Sequence, residues 1–217
     1  MTSSRKKKNN GGPSKTKLAI VIISASLLCL GVGDYIYRHF HSPIVSFTPQ
    51  RTSGDPGAVL QIVEFVDYTC INCVKGHKIL KKYLQEYPKA INVTVKYFPL
   101  GELNSMISAL HAECAAQQDK FWPMHDMLFE RQFHWRTLVE VEPYLTALAK
   151  KISLDIDQLK GCLEDPAARS TLIQEKTLGE SYFVQMTPTY FINRKMVVGS
   201  EELEDYLHGF FEQYIEW

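Results

Sequence analysis

Net charge is missing from this sequence as a whole. Its 217 residues carry 24 Lys+Arg against 24 Asp+Glu, so no basic footprint for nucleic acid is present at whole-chain level. Glycine and proline are scarce, at 12 and 10 residues, which excludes collagen-like and low-complexity chains. An apolar share of 45% argues against wholesale disorder. Five cysteines are too few for a disulfide-dense mini-protein and more than most cytosolic domains need. No internal repeat is visible. The length fits one ordinary domain, alone or with an appendage.

The zero hides an asymmetry. Residues 1–17 contain Arg5, Lys6, Lys7, Lys8, Lys15 and Lys17 and no acid, so this stretch is +6 and the remainder is −6. With Gly11, Gly12 and Pro13 and no apolar periodicity, it reads as a disordered tail. Leu18 to Gly33 then runs without a charge. As a helix it would rise about 24 Å, slightly short of a ~30 Å hydrocarbon core. Lys17 and the Tyr35-Ile36-Tyr37 segment extend it at the two ends. Residues 18–37 are therefore expected to form a transmembrane helix. The preceding positive charges place the N-terminus in the cytoplasm and the rest outside, at an inner membrane with a periplasmic or otherwise extracytoplasmic domain. The long basic lead and the lack of an Ala-x-Ala site favour an uncleaved anchor over a cleaved signal peptide ending near Gly31-Val32-Gly33. Cys29 reads as a small apolar residue of the bilayer. Disulfides persist on the outer side.

Residues 38–53 are expected to be a linker with at most one edge strand, and residues 54–217 a domain. Val59 to Val66 is an apolar, β-branched run that reads as a buried strand, and Ile91 to Phe98 alternates with period two. Between them Val74 to Leu84 reads as a helix. Helices are expected over Met106–Gln118, Lys120–Phe129, Leu138–Lys151, Asp155–Leu163 and Ala167–Phe183. Thr189–Ile192 and Met196–Val198 suggest a hairpin, and Glu201–Tyr214 an acidic amphipathic helix. This is an α/β plan with a helical insertion at about residues 102–183.

Cys70-Ile71-Asn72-Cys73 falls at the junction of strand and helix. A redox dithiol needs this placement: unpaired N–H groups and the macrodipole at the helix N-terminus stabilise a thiolate at Cys70. Cys73, one turn on, is within reach to close or resolve a disulfide. Half of a zinc site would want a second pair at similar spacing, whereas Cys114 and Cys162 are single and far apart. A plain structural bridge is the other alternative. Those two cysteines, both in expected helices, are expected to form a structural disulfide, against two separate buried thiols. No metal is expected.

Ile62 to Cys73 (IVEFVDYTCINC) and the upstream Gly54-Asp55-Pro56 resemble the active-site stretch of the DsbA-like, thioredoxin-fold thiol:disulfide oxidoreductases. Met186 to Asn193 (MTPTYFIN) is similar to that family's cis-proline loop. Glu113 to Gln117 (ECAAQ) and Lys120 to Asp126 (KFWPMHD) resemble its inserted helical domain. The resemblance covers residues 54–210. It implies a thioredoxin-like fold with a helical insertion, Cys70 as attacking thiolate and Cys73 as buried resolving thiol. It also implies a cis Thr187–Pro188 bond facing the pair and presenting a backbone edge to a bound cysteine peptide, with an ordinary turn as the alternative. Glu64 matches a buried acid that moves the proton of the second thiol; the alternative is a solvent-facing strand residue. Asn72 departs from the His of strongly oxidising members. A neutral amide supplies no imidazolium charge, so a less depressed thiolate pKa and a potential below about −120 mV are expected. His77 is either a tuning group or structural, and Tyr68 is expected beside the dithiol. The pairs Phe121-Trp122 and Phe210-Phe211 are expected in the core.

The leading expectation is a membrane-anchored dithiol oxidase. It would pass its disulfide to cysteine-containing client proteins and be recycled by a membrane redox partner, with no cofactor of its own. The N-terminal helix would contact lipid. A monomeric reductase or isomerase of the same fold is the near alternative. Dimeric isomerases of the superfamily carry an extra N-terminal region for which some twenty residues are too few. A tethered, non-catalytic peptide-binding module is the alternative of a different class.

Overall fold

The computed structural model of the chain describes Val32 and residues 48–215 apart from Glu102. The chain divides into two units, Met1–Ser42 and Pro43–Trp217, and the elements described all lie in the second. The expected tail, nearly all of the expected anchor and residues 38–47 lie outside the described residues. Among the described residues no helix is long and apolar enough to cross a membrane.

A 3-10 turn at Pro49–Arg51 leads into β1 (Thr52–Gly54), followed by β2 (Leu60–Val66), α1 (Ile71–Glu86) and β3 (Ile91–Tyr97). Six helices intervene before the sheet resumes: α2 (Leu103–Ala116), α3 (Phe121–Glu130), α4 (Gln132–Trp135), α5 (Glu142–Lys151), α6 (Ile156–Glu164) and α7 (Pro166–Ser181). Then come β4 (Thr189–Ile192), β5 (Lys195–Val198) and α8 (Gly199–Ile215). The five strands are ordered β1-β3-β2-β4-β5, with β2 and β3 parallel and every other pairing antiparallel.

Strand β1 shifts the expected boundary. Thr52 and Ser53, placed in the linker by sequence, pair with Thr94 and Val93 of β3. Gly54 has φ +103 and a Cβ there would lie 2.1 Å from the Ile91 carbonyl oxygen, so only glycine lets the edge strand end against β3. Three residues are too short to carry a recognisable period. Helix α5 starts at Glu142 rather than at the expected Leu138, because Pro143 is suited to the first turn, where its missing N–H costs nothing. Helices α6 and α7 start where Asp155 and Asp165 accept hydrogen bonds from Asp157, Gln158 and Ala167 N–H groups. Asn193 (φ 46) and Arg194 (φ 77) make the two-residue turn of the hairpin.

β2 is buried on both faces. Leu60, Ile62 and Val66 join the main core with residues of α1, α2, α3 and α8, while Val63 and Phe65 pack with Phe98, Val184 and Phe191 on the other side. The period of two puts Glu64 on the main-core face. Of the two aromatic pairs, Phe121 and Phe211 are fully buried, whereas Trp122 and Phe210 are only partly so. The insertion is held to the sheet by a buried ionic cluster. Arg51 grips Glu175 of α7 through two hydrogen bonds of 2.7 Å. Lys96 of β3 reaches the same carboxylate at 3.0 Å, and the Tyr97 N–H donates to it at 2.9 Å. Within the insertion, Cys114 of α2 and Cys162 of α6 form a disulfide.

Candidate active site

β2 ends in a turn that delivers Cys70 to the N-cap of α1. Asp67 builds that turn. Its Oδ1 accepts from the Thr69 N–H and hydroxyl at 2.8 and 2.7 Å, and its Oδ2 from the Leu100 N–H and the Ser105 hydroxyl at 2.8 and 2.7 Å. One fully bonded carboxylate thus joins the turn to the start of the insertion. Gln132 of α4 donates its side-chain amide to the Tyr68 and Cys70 carbonyls, both at 2.8 Å.

Cys70 is half-buried and Cys73 wholly buried, and both are free thiols. The Thr187–Pro188 bond is cis. The Cys70 thiol donates to the Thr187 carbonyl at 3.2 Å, so the dithiol and the proline loop, 117 residues apart in sequence, face each other. The two sulfurs differ in acidity. Hydrogen bonding with the Cys73 side chain, with Thr187 and with the Cys73 and Asn72 N–H groups outweighs partial burial and brings Cys70 down to about 6. Complete burial and the neighbouring Cys70 push Cys73 well above the ordinary thiol range.

Glu64 is 1% exposed, which excludes the solvent-facing alternative. Burial raises its carboxyl to about 8, with the Tyr190 hydroxyl partly offsetting this. Its Oε1 has no hydrogen-bond partner. Tyr190 lies opposite Glu64 in the β2–β4 register. A Cβ on Gly76 of α1 would fall 1.9 Å from the Tyr190 hydroxyl and 3.5 Å from Pro188 Cγ. The absent side chain is therefore what lets helix, tyrosine and proline loop meet behind the dithiol.

Glu64 also lines a pocket of about 250 Å³ with Ser53, His77, Trp122, His125 and Asp126. His77 Nε2 lies 3.2 Å from Asp126 Oδ1, and Lys81 reaches Asp126 Oδ2 at 2.7 Å. Tyr68 and His125 share a buried hydrogen bond of 2.9 Å, and Tyr68 belongs to the same core cluster as Cys73. Burial beside His77 holds His125 well below the ordinary histidine range, hence neutral.

The site thus gathers Cys70, Cys73, Glu64, Thr187 and Pro188. Cys114 and Cys162 lie apart from it in their disulfide. Asp67, Gly76, Tyr190 and Gln132 were not singled out from sequence. A glycine inside the expected helix after Cys73 was a readable signal for close packing; a glutamine 59 residues past Cys73 offered none.

Chemically, the arrangement holds a nucleophilic sulfur at a helix N-terminus, a buried partner sulfur, and a buried proton-holding carboxyl on β2 opposite Tyr190 of the proline-loop strand. The sequence matches the family model described as Thioredoxin over residues 47–208. The chain belongs to the thioredoxin family. It is similar to disulfide bond formation protein D of Bacillus subtilis, 28% identical over 161 residues, covering 70% of this chain and 71% of the relative. The crystal structure of oxidised BdbD from Bacillus subtilis superposes with a TM-score of 0.67 at 25% identity, covering 77% of this chain and 94% of the other. A Na(+)/H(+) antiporter, NhaA 3 of Salinispora tropica, is 27% identical over 165 residues; this chain spans 74% of its own length there but 24% of the antiporter's. The solved structures that share its fold include DsbA-like oxidoreductases, among them α-DsbA1 of Wolbachia pipientis, with a TM-score of 0.67 at 20% identity.

Proposed function

We propose that the chain is an extracytoplasmic thiol:disulfide oxidoreductase that introduces disulfides into client proteins, held at a membrane by residues 18–37. The observation that carries the reading is the geometry of the pair: Cys70, half-buried at the N-cap of α1, faces the Thr187 carbonyl of the cis-proline loop at 3.2 Å, while Cys73 is wholly buried.

In the oxidised protein a client thiolate attacks Cys70 Sγ. The Cys70–Cys73 bond breaks, and Cys73 leaves with the electron pair and takes a proton from the Glu64 carboxyl, which is still largely protonated at neutral pH. The client is now joined to Cys70. A second client thiolate attacks the client sulfur of that mixed disulfide, forming the client disulfide and expelling Cys70 as a stabilised thiolate. Two electrons have passed to the dithiol, which a membrane oxidant must remove. The Thr187 carbonyl beside Cys70 is an acceptor for the backbone of the bound client.

A Cys70 near 6 is less acidic than the ~3.5 of the strongest oxidants, in keeping with the uncharged side chain of Asn72 where those carry His. The potential is accordingly expected below about −120 mV. The test is the redox state of Cys70–Cys73 in growing cells, trapped by acid quench and alkylation. A mostly closed disulfide is expected; a mostly reduced pair would assign the chain to a reductase or isomerase role instead.

A further inference from the structure

Gln132 stands outside every motif that relates the chain to its family, yet it touches the active-site turn at two points. Its side-chain amide donates to the Tyr68 and Cys70 carbonyls, both at 2.8 Å, and the residue is buried at 5% exposure. Helix α4, which carries it, is four residues long and anchored on two sides. Trp135 is fully buried and donates its indole N–H to the Leu128 carbonyl of α3 at 3.0 Å. Asn104 of α2 donates to the carbonyls of Arg136 and Leu138 at 3.0 and 2.8 Å. A short helix braced in this way is a fixed platform, so the amide it presents is fixed as well.

Two consequences bear on the Cys70 sulfur. The Cys70 carbonyl belongs to the peptide that opens α1, and its tilt helps set the direction of the following N–H groups. Those of Asn72 and Cys73 are among the donors that hold the Cys70 sulfur. The Tyr68 and Cys70 carbonyl oxygens also carry partial negative charge close to the place where a thiolate must form, and an amide NH2 bonded to both offsets it. We propose that Gln132 is a positioning residue of the redox site: the insertion, through this one amide, aligns the start of α1 and favours the thiolate state of Cys70. The inference rests on the oxidoreductase reading given above and adds to it a role for the inserted helices.

The experiment compares the full chain with its Gln132→Met variant, which keeps the side-chain length and removes the donor. Cys70 ionisation is followed by thiolate absorbance, the dithiol–disulfide equilibrium against glutathione, and folding by thermal melting. The variant is expected to raise the Cys70 pKa by about half a unit and to shift the glutathione equilibrium about threefold toward the disulfide. Gln132→Glu, which places a carboxylate at the same carbonyls, is expected to move both readings further in the same direction. A lower melting temperature with unchanged Cys70 pKa and glutathione equilibrium would make Gln132 a structural tie only and overturn the proposal. Should the variants fail to fold, the wild-type side-chain amide resonance of Gln132 decides: it is expected to shift with the Cys70 titration, and an amide signal indifferent to that titration refutes the role. A wild-type Cys70 with ordinary thiol acidity, or a pair inert toward glutathione, would count against the oxidoreductase reading whatever the variants do.

Discussion

Replacing Glu64 with Gln gives the sharpest prediction, because one buried carboxyl is exchanged for a neutral side chain of the same shape. Burial raises the folded-state carboxyl from 4.5 to about 8. Below pH 4.5 it is protonated whether the chain is folded or not, and it costs nothing. Between 4.5 and 8 the unfolded chain releases the proton and the folded chain keeps it, so stability falls as pH rises through that window. Above 8 both states are ionised and the loss is complete. A gap of about 3.5 units at 1.36 kcal/mol each sets a ceiling of about 5 kcal/mol, and about 3 kcal/mol at pH 7. Glu64→Gln should therefore match the parent near pH 4.5 and exceed it increasingly toward pH 8. Urea unfolding at pH 4.5, 6, 7 and 8 measures this. Both proteins should carry the closed Cys70–Cys73 disulfide, so that neither thiol titrates; desolvation, the dominant cause of the shift, does not depend on that bond. The same variant should release Cys73 more slowly during exchange, having lost the proton donor. A stability difference independent of pH would refute the reasoning, since it would mean that Glu64 titrates alike in both states.

The Cys114–Cys162 disulfide closes a span of 48 residues; on the chain-entropy model its removal in a Cys114→Ala/Cys162→Ala variant should cost about 4 kcal/mol, read as a lower urea midpoint. Gly76→Ala should destabilise by about 1–3 kcal/mol because its Cβ meets the Tyr190 hydroxyl, and adding Tyr190→Phe should restore much of the loss in thermal melts; failure of that rescue would show that the contact is not the cause. Arg51→Met leaves Glu175 with Lys96 but without its two Arg51 hydrogen bonds, and should cost about 3–5 kcal/mol, whereas Arg51→Met with Glu175→Leu should cost less than the single variant.

The elements that touch the dithiol were the most legible. An apolar run ending in Cys-x-x-Cys at a helix start carries its own physics, and the proline loop carries a second motif. Glu64 could be placed on a strand but not on a face, because in a strand buried on both sides the period of two distinguishes nothing. One edge strand was legible in the linker, but the position of β1 was hidden by its length and by the Ser, Thr, Pro and Gly around it. Helix α4 was hidden for a related reason: four residues between α3 and a turn show no helical period, and what stabilises them is Trp135 buried against α3. Arg51 and Glu175 sit 124 residues apart, and no local pattern marks either as a buried partner of the other.

The central claim is that Cys70 is an activated thiolate and Cys73 its protected partner. The most direct measurement is the pH dependence of alkylation of the reduced full chain, read by mass at each cysteine. The account predicts a Cys70 rate half-maximal near pH 6, following its lowered acidity, with Cys73 unmodified over the same period. A Cys70 midpoint at about 8.5, the ordinary thiol value, or equal modification of the two sulfurs, would contradict it.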